Sequence, residues 1–263
     1  MRIWQAIILG AVQGLTEFLP VSSSGHLILA ERWLNVNAGG GLFFDIALHA
    51  GTLIPVFIVF SKSIAGLFSK PYKKLPYLFV ASVPAAVSGF LLQDKIESLY
   101  KGGGMLSAVL LSVSFLITAA ELLFAEKICK KTANALPLSL KSSIIMGVFQ
   151  GFAIIPGLSR SGTVLTGGAV AKTDRNACAE FTFLMSIPVI LGAAAVSGVK
   201  AVTEGCVIEP VPVIFGVVTA AVTGYIAVNS MLNAVRKSKF KGFSVYLAVL
   251  AAASVLTKVL FGV

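Results

Sequence analysis

The sequence predicts an all-α polytopic membrane protein, and its composition, hydropathy and charge distribution together support that prediction. Of the 263 residues, 57% are hydrophobic and only 12% are charged, whereas soluble domains average about 25% charged residues. The mean hydropathy is +0.92, and long apolar runs alternate with short basic segments, a pattern typical of multi-pass membrane proteins. The composition therefore excludes soluble and disordered classes, and we do not expect the net charge of +10 to indicate a nucleic acid partner.

Two apolar regions are interrupted at their centres by polar residues, glycine and proline. The first region covers 3–34 and contains TEFLPVSSSGH at 16–26, and the second covers 142–171 and contains PGLSRSG at 156–162. Irregular backbone at membrane depth is tolerated only where protein or a water-filled cavity surrounds it. We therefore predict two re-entrant broken-helix hairpins. The alternative is that each region forms two short core helices joined by a loop at the membrane surface.

Six further runs approach the length of about 20 apolar residues that a transmembrane helix needs. They lie near 43–60, 75–92, 105–124, 181–199, 211–230 and 243–262. Together with the hairpins, these six transmembrane helices predict a single membrane domain over 1–263.

The two interrupted regions align with each other at an offset of 137 residues, which predicts an internal repeat. The aligned pairs include Gly10 with Gly147, Gln13 with Gln150, and Ser22 with Ser159. The repeats would cover 1–124 and 142–263, each with one hairpin followed by three transmembrane helices. Because three is odd, the second repeat would begin on the opposite side of the membrane, which is an inverted-topology repeat.

The basic residues predict the orientation of the chain in the membrane. Fourteen of the 21 lysines and arginines lie in the segments 61–74, 125–141, 172–180 and 231–242. The positive-inside rule assigns such segments to the cytoplasm. Both termini are then expected on the outer side.

The interruptions concentrate polar and ionisable side chains, which at membrane depth are functional candidates by default. The candidates are Gln13, Glu17, Ser22, Ser23, Ser24 and His26 in the first region and Gln150, Ser159, Arg160 and Ser161 in the second. The guanidinium of Arg160 suits a phosphate or carboxylate, so these residue types are consistent with phosphoryl transfer or anion transport. Asp45 and His49, one helical turn apart in the first predicted span, are interpreted as a structural pair.

The motifs QGLTEFLPVSSSGH at 13–26 and PGLSRSG at 156–162 resemble those of the undecaprenyl-diphosphate phosphatases linked to bacitracin resistance, and the resemblance covers nearly the whole chain. It implies a multi-pass enzyme of the bacterial inner membrane whose active site faces the outer side. The implied reaction hydrolyses undecaprenyl diphosphate to undecaprenyl phosphate and inorganic phosphate, which recycles the lipid carrier for cell-wall synthesis. The resemblance also implies a divalent cation, Mg²⁺ or Ca²⁺.

Position by position, the resemblance implies that Glu17 is the essential carboxylate and that Arg160 holds the phosphate. Ser23 and His26 are candidates for the nucleophile and for proton transfer, and metal-activated water is the alternative nucleophile. Gln13 stands where many relatives have glutamate, so we expect it to bind substrate or, with Glu17, the cation. Substrate-binding roles are further expected for Ser22, Ser24, Gln150, Ser159, Ser161 and Thr163.

Two questions stay open at this level. A membrane transporter or flippase of an anion or of prenyl phosphate is the rival function, because inverted repeats with broken helices are a transporter architecture. The expected partners are the polyprenyl diphosphate substrate and bilayer lipid, and the sequence leaves open whether the chain forms a homodimer.

Overall fold

In the described part of the chain, α-helices are the only regular secondary structure apart from one isolated bridge between Leu136 and Thr173. The computed structural model describes residues 1–36, 41–70, 72, 74–101, 103–131, 135–203 and 209–262. Its helices are α1 (Ile3–Phe18), α2 (Ser23–Trp33), α3 (Gly41–Val59), α4 (Ser61–Leu67), α5 (Lys74–Lys101), α6 (Met105–Lys131), α7 (Leu140–Phe152), α8 (Arg160–Val170), α9 (Arg175–Thr203), α10 (Pro210–Arg236) and α11 (Lys241–Phe261). Within the basic segments of the sequence, Lys73 and 132–134 lie outside the described residues.

Five of these helices are long and apolar enough to cross a membrane, namely α5, α6, α9, α10 and α11. The bent pair of α3 and α4, with an angle of 87° between its two parts, brings the number to six if it forms one span. Several helices are longer than the predicted runs. For example, α6 continues to Lys131, beyond the predicted end at 124, because lysine side chains at a helix end reach water while their stems stay on apolar surface.

Both interrupted regions form two short helices separated by a break. Pro20 lies in the first break and Pro156 in the second, where the missing N–H and the fixed φ of proline disfavour a continuous helix. A serine then begins the next helix in each case: the Ser22 hydroxyl accepts from the Gly25 amide, and that of Ser159 accepts from the Gly162 amide. Such N-caps satisfy a backbone donor that a helix start leaves unpaired.

Small residues allow both broken regions to pack closely against neighbouring helices. Helix α1 packs mainly against α10, and a Cβ atom added at Gly10 would lie 2.3 Å from the Gly216 carbonyl oxygen. In the same way, α7 packs against α5, where a Cβ at Gly147 would lie 2.6 Å from the Ala81 oxygen. Close backbone approach through small residues is typical of helix packing in membranes.

Large apolar side chains cover the outside of the molecule, while polar side chains are buried. Phe79 is 73% exposed and Phe90 is 90% exposed, whereas Gln13 and Thr163 are fully buried. An exposed apolar surface of this kind suits lipid contact. The polar interior lies where the two breaks meet, which positions the site described below.

We predict that Gly10→Ala destabilises the protein, because the added methyl group must displace the backbone of α10. The expected loss is about 1–3 kcal/mol in the free energy of unfolding, the usual cost of overpacking, and it should appear as a lower thermal midpoint in detergent. Gly192→Ala in α9 is the matched control, since a Cβ there meets nothing within 4 Å. If both variants unfold at the wild-type temperature, the close contact of α1 with α10 is wrong.

Candidate active site

The carboxylate of Glu17 is the centre of a buried polar cluster formed by both broken regions. Glu17 lies in the last turn of α1 and is only 5% exposed. Its Oε1 accepts a hydrogen bond from the Arg160 guanidinium at the start of α8. Its Oε2 accepts from the Ser23 hydroxyl at 2.6 Å and from the Gln13 amide nitrogen at 2.9 Å. One carboxylate therefore holds three of the side chains that the sequence selected.

Local structure explains how each of these side chains reaches Glu17. Gln13 precedes Glu17 by four residues on α1, so both side chains lie on one helix face. The break after α1 reverses the chain, and Ser23, the first residue of α2, returns to within hydrogen-bonding distance. Arg160 is the first residue of α8, and it arrives from a position 143 residues later in the chain.

The two breaks are hydrogen-bonded to one another. The Gly157 amide donates to the Ser22 hydroxyl at 3.1 Å, and the Ser161 hydroxyl donates to the Leu19 carbonyl at 3.1 Å. Ser22 has φ of 70°, a conformation that costs a residue other than glycine about 1–3 kcal/mol. Gly157 has φ of 92°, and a Cβ there would lie 2.5 Å from Ser114 Cβ. Where the breaks meet, Ser22 is therefore a strained position, and Gly157 supplies a positive φ and a close contact that suit glycine.

A cavity of about 440 Å³ opens beside this cluster, within the size range of small-molecule sites. Its polar lining comprises Thr16, Glu17, Ser22, Ser23, Ser24, Glu31, Arg32, Asp45, His49, Gln93, Tyr100, Ser159 and Arg160. Its aliphatic lining includes Ile28 of α2, Ile96 of α5, and Val189, Ile190, Ala193 and Ala194 of α9. The cavity therefore combines an anion-binding group with apolar surface, as a phosphorylated lipid requires.

Four of the expected substrate-binding residues do not line this cavity. Gln13 is fully buried and donates to Glu17 from within α1. Gln150 is buried in α7 with its amide nitrogen 3.5 Å from the Ala81 carbonyl oxygen. Thr163 donates to Glu121 Oε2 at 3.0 Å, between α8 and α6. Ser161 bonds to the backbone of the first break, as described above. These residues support the walls of the site, while Ser22, Ser24 and Ser159 line it.

His26 is also not brought to the Glu17 cluster. It is 8% exposed and does not line the cavity. Its Nδ1 is 2.7 Å from the Ser22 carbonyl oxygen, and its Nε2 is 2.7 Å from the Tyr246 hydroxyl. Because a carbonyl oxygen only accepts, Nδ1 carries a proton, and in the neutral imidazole Nε2 then accepts from Tyr246. Both ring nitrogens are therefore engaged away from the reacting position.

A different histidine, His49 of α3, faces Glu17. Its Nε2 is 3.7 Å from Glu17 Oε2, and its Nδ1 donates to the Asp45 backbone oxygen at 2.7 Å. Interpreting Asp45 and His49 as a structural pair was incomplete, because the far nitrogen of the ring points into the site. The rule that ionisable residues at membrane depth are functional candidates applies to α3 as well as to the breaks and would have identified it.

The donor set constrains how a divalent cation could bind. Within the ranges that the structure describes, no group of three or more histidine, cysteine, aspartate and glutamate side chains is arranged to hold a metal ion. The Oε1 atom of Gln13 is buried and has no hydrogen-bond partner among the described residues, while the amide nitrogen of the same side chain donates to Glu17. These donors fit a cation that takes most of its ligands from water and from substrate phosphates, as Mg²⁺ commonly does.

The sequence is similar to a known family over nearly its full length. The family model described as bacitracin resistance protein BacA matches residues 6–253. A protein of Carboxydothermus hydrogenoformans named undecaprenyl-diphosphatase is 40% identical over 254 residues, with 95% of each chain covered. A protein of the same name from Methanobrevibacter smithii is 38% identical, with 94% of each chain covered. Another from Pelobacter propionicus is 35% identical, with 100% of this chain and 99% of the relative covered. The chain belongs to the bacitracin resistance protein BacA family.

Proposed function

We propose that this protein is an integral membrane phosphatase that hydrolyses undecaprenyl diphosphate to undecaprenyl phosphate and inorganic phosphate, which recycles the lipid carrier for cell-wall synthesis. The observation that carries the proposal is the Glu17 cluster, in which a serine hydroxyl and an arginine share one buried carboxylate beside an aliphatic cavity wall. Membership of the BacA family and relatives named undecaprenyl-diphosphatase support the same reaction.

In the proposed mechanism, Arg160 binds the terminal phosphate. Its guanidinium has five N–H donors in a planar fork, of which a single terminal nitrogen bonds to Glu17. Arg160 lines the cavity, so other donors of the fork are available for phosphate oxygens. A fixed positive group at this position stabilises the charge of the transition state.

Ser23 is the proposed nucleophile and Glu17 the proposed base. The Ser23 hydroxyl already donates to Glu17 Oε2, which therefore takes the proton as Oγ attacks the terminal phosphorus. The bond from phosphorus to the bridging oxygen breaks, and its electron pair leaves with undecaprenyl phosphate. Water then hydrolyses the phosphoserine. His49 Nε2, 3.7 Å from the same carboxylate oxygen, is positioned to accept the proton from Glu17.

A divalent cation, Mg²⁺ or Ca²⁺, is part of the proposal. Glu17 and the unpaired Oε1 of Gln13 would hold it together with oxygens of the diphosphate. When bound, such an ion neutralises phosphate charge and favours departure of the leaving group.

We further propose that the chain has six transmembrane segments, one of which is formed by α3 and α4 together. Two re-entrant hairpins, α1–α2 and α7–α8, complete the proposed membrane domain. The proposed inverted repeats cover 1–124 and 142–263. Reciprocal packing supports the repeats. The offset of 137 residues relates α1 to α7, α5 to α10 and α2 (Ser23–Trp33) to α8 (Arg160–Val170). Helix α1 packs against α10 while α7 packs against α5, so each hairpin contacts the corresponding helix of the opposite half.

The proposed location is the bacterial inner membrane with the active site facing the outer side, supported by the basic segments assigned to the cytoplasm.

The decisive experiment is phosphate release from undecaprenyl diphosphate by the purified protein in detergent. Release that depends on Mg²⁺ or Ca²⁺ and stops with a chelator supports both the phosphatase and the cation. Hydrolysis needs one compartment, whereas transport needs two, so an active preparation in micelles separates the enzyme from a transporter. A folded preparation without release, which instead moves the lipid or an anion across liposome membranes, would contradict the proposal.

In this assay we expect Glu17→Gln and Arg160→Lys each to lower kcat by about 10²–10³, the usual cost of removing a group that stabilises transition-state charge. Glutamine keeps the shape of Glu17 without its charge, and lysine keeps the charge of Arg160 without the planar fork. Glu180→Gln is the matched control, since that carboxylate pairs with Lys74 away from the cavity, and it should retain wild-type activity. An Arg160→Lys variant within a few-fold of wild type would make Arg160 a structural residue.

The proposed nucleophile predicts a covalent phosphoserine at Ser23. Rapid quenching with substrate labelled in the terminal phosphate should yield labelled protein that is stable in acid, which phosphohistidine is not. Ser23→Ala should abolish turnover and label, while Ser230→Ala, at an exposed serine of α10, should retain both. Substantial turnover by Ser23→Ala, or label on His26, would remove Ser23 from this role.

The proposed orientation predicts which cysteines react with a membrane-impermeant reagent in intact cells. The background is a variant in which Cys129, Cys178 and Cys206 are replaced. In this variant, Ser98→Cys near the end of α5 should be labelled in intact cells. Ser69→Cys, before α5, should be labelled only after the cells are permeabilised. Both positions are exposed. The reverse pattern would overturn the orientation and the outward-facing site.

A further inference from the structure

The imidazole of His26 connects the transmembrane helix α11 to the first break. Its Nε2 accepts from the Tyr246 hydroxyl of α11 at 2.7 Å, and its Nδ1 donates to the Ser22 carbonyl at 2.7 Å. The two rings are stacked, with centroids 5.6 Å apart, and Phe115 packs edge-on against the imidazole at the same centroid distance. The ring of His26 is thus held on both of its edges and on its face.

Ser22, at the other end of this connection, is the residue that joins the two breaks. Its carbonyl accepts from His26 Nδ1 and from the His26 amide at 3.2 Å. Its hydroxyl accepts from the amides of Gly157 and Gly25. Its φ of 70° is unfavourable for serine, so surrounding contacts must hold this conformation. The hydrogen bond from His26 Nδ1 to the Ser22 carbonyl is one of those contacts, and it is a side-chain bond and not one of the backbone bonds of α2.

Ser23 follows Ser22 directly, so the backbone of Ser22 sets where the Ser23 hydroxyl lies. A displacement of about 1 Å at a reacting group can reduce a rate roughly 10²-fold. Tyr246 itself is 45% exposed and is absent from the cavity lining. Its connection to the nucleophile runs through His26 and Ser22.

We propose that Tyr246 is a positioning residue of the phosphatase, and that Tyr246, His26 and Ser22 form a brace that holds Ser23 against Glu17. The inference rests on the proposed function for the identity of the reaction. It assigns His26 a positioning role, because a nucleophile or proton donor would need an imidazole nitrogen directed at the substrate. Both nitrogens are directed elsewhere.

Hydrogen exchange measured by mass spectrometry tests the brace without relying on activity. Tyr246→Phe removes the hydroxyl and keeps the ring. The amides of Gly25, His26 and Gly157, which donate to Ser22, should exchange roughly two- to tenfold faster in this variant, as expected for the loss of one supporting hydrogen bond. Tyr225→Phe is the matched control, a tyrosine of α10 that is 48% exposed, and it should leave this exchange unchanged.

Kinetics then connect the brace to the reaction. Tyr246→Phe should lower kcat by about tenfold with little change in KM, because the nucleophile is misplaced while phosphate binding is retained. His26→Asn can still donate to the Ser22 carbonyl from the position of Nδ1, so it should retain more activity than His26→Ala. In the His26→Ala background, Tyr246→Phe should have little further effect, since both changes break the same connection.

Two results would overturn the brace. One is a Tyr246→Phe variant in which the amides that donate to Ser22 exchange at the wild-type rate and kcat equals that of the wild type. The other is a His26→Asn variant that exchanges like wild type yet is as inactive as His26→Ala, which would make His26 a reacting group. Absence of phosphate release by the wild-type protein would contradict the proposed function instead, and the exchange measurement would still decide the brace.

Discussion

The ion pair between Glu17 and Arg160 is the interaction on which the rest of this structure depends. Both side chains are largely buried, with side-chain exposures of 3% and 16%. Buried charges are tolerated only when partners replace the water that they lose. Glu17 obtains those partners from α1, α2 and α8, so the carboxylate is satisfied only when both breaks are correctly folded and in contact. The geometry of the site and the packing of the two regions are therefore a single constraint.

The breaks themselves require compensation, because they expose backbone donors and acceptors inside an apolar molecule. Each break receives partners from the other: the Ser22 hydroxyl accepts from Gly157, and the Ser161 hydroxyl donates to Leu19. Thr118 of α6 adds a bond to the Gly157 carbonyl and accepts one from the Ser159 amide. Hydroxyl side chains thus replace the helical hydrogen bonds that proline and the chain reversals remove. The same hydroxyl groups make the interior polar enough to bind an anion.

The site combines two chemical features, a charged polar cluster and an aliphatic wall. A diphosphate needs charge and directed donors, which Arg160 supplies next to the Ser23 hydroxyl, and a long isoprenoid chain needs apolar surface, which α5 and α9 supply in the same cavity. A site with both features suits a lipid with a phosphorylated head, in agreement with the family to which the chain belongs. Because the polar cluster is held by buried contacts, its geometry exists before substrate binds, which reduces the cost of reorganisation during the reaction.

Local sequence was sufficient for the features that depend on local physics. Apolar runs of membrane-spanning length predicted helices, and the structure has α-helices and no strand within the ranges that it describes, with five or six candidate spans. Proline followed by serine and glycine predicted both breaks, because proline disfavours a continuous helix and serine caps the next one. Charged side chains at membrane depth are costly without partners, and that cost singled out Glu17 and Arg160 as candidates.

Only the tertiary structure decided which side chains meet. Of the two histidines, the local sequence favoured His26, which lies in the first interrupted motif, over His49, which lies in the first predicted span. The structure reverses this order: His49 reaches Glu17 across 32 residues of chain, whereas His26 turns toward Tyr246, 220 residues away. Gln150 and Thr163 belong to the selected motifs, yet they face α5 and α6 and not the cavity. Helix periodicity determines the face on which a residue lies, but the neighbour of that face depends on how all the helices pack. That packing is decided by close contacts between distant small residues, such as Gly10 against Gly216, and by the buried ion pair between Glu17 and Arg160 that joins the two breaks.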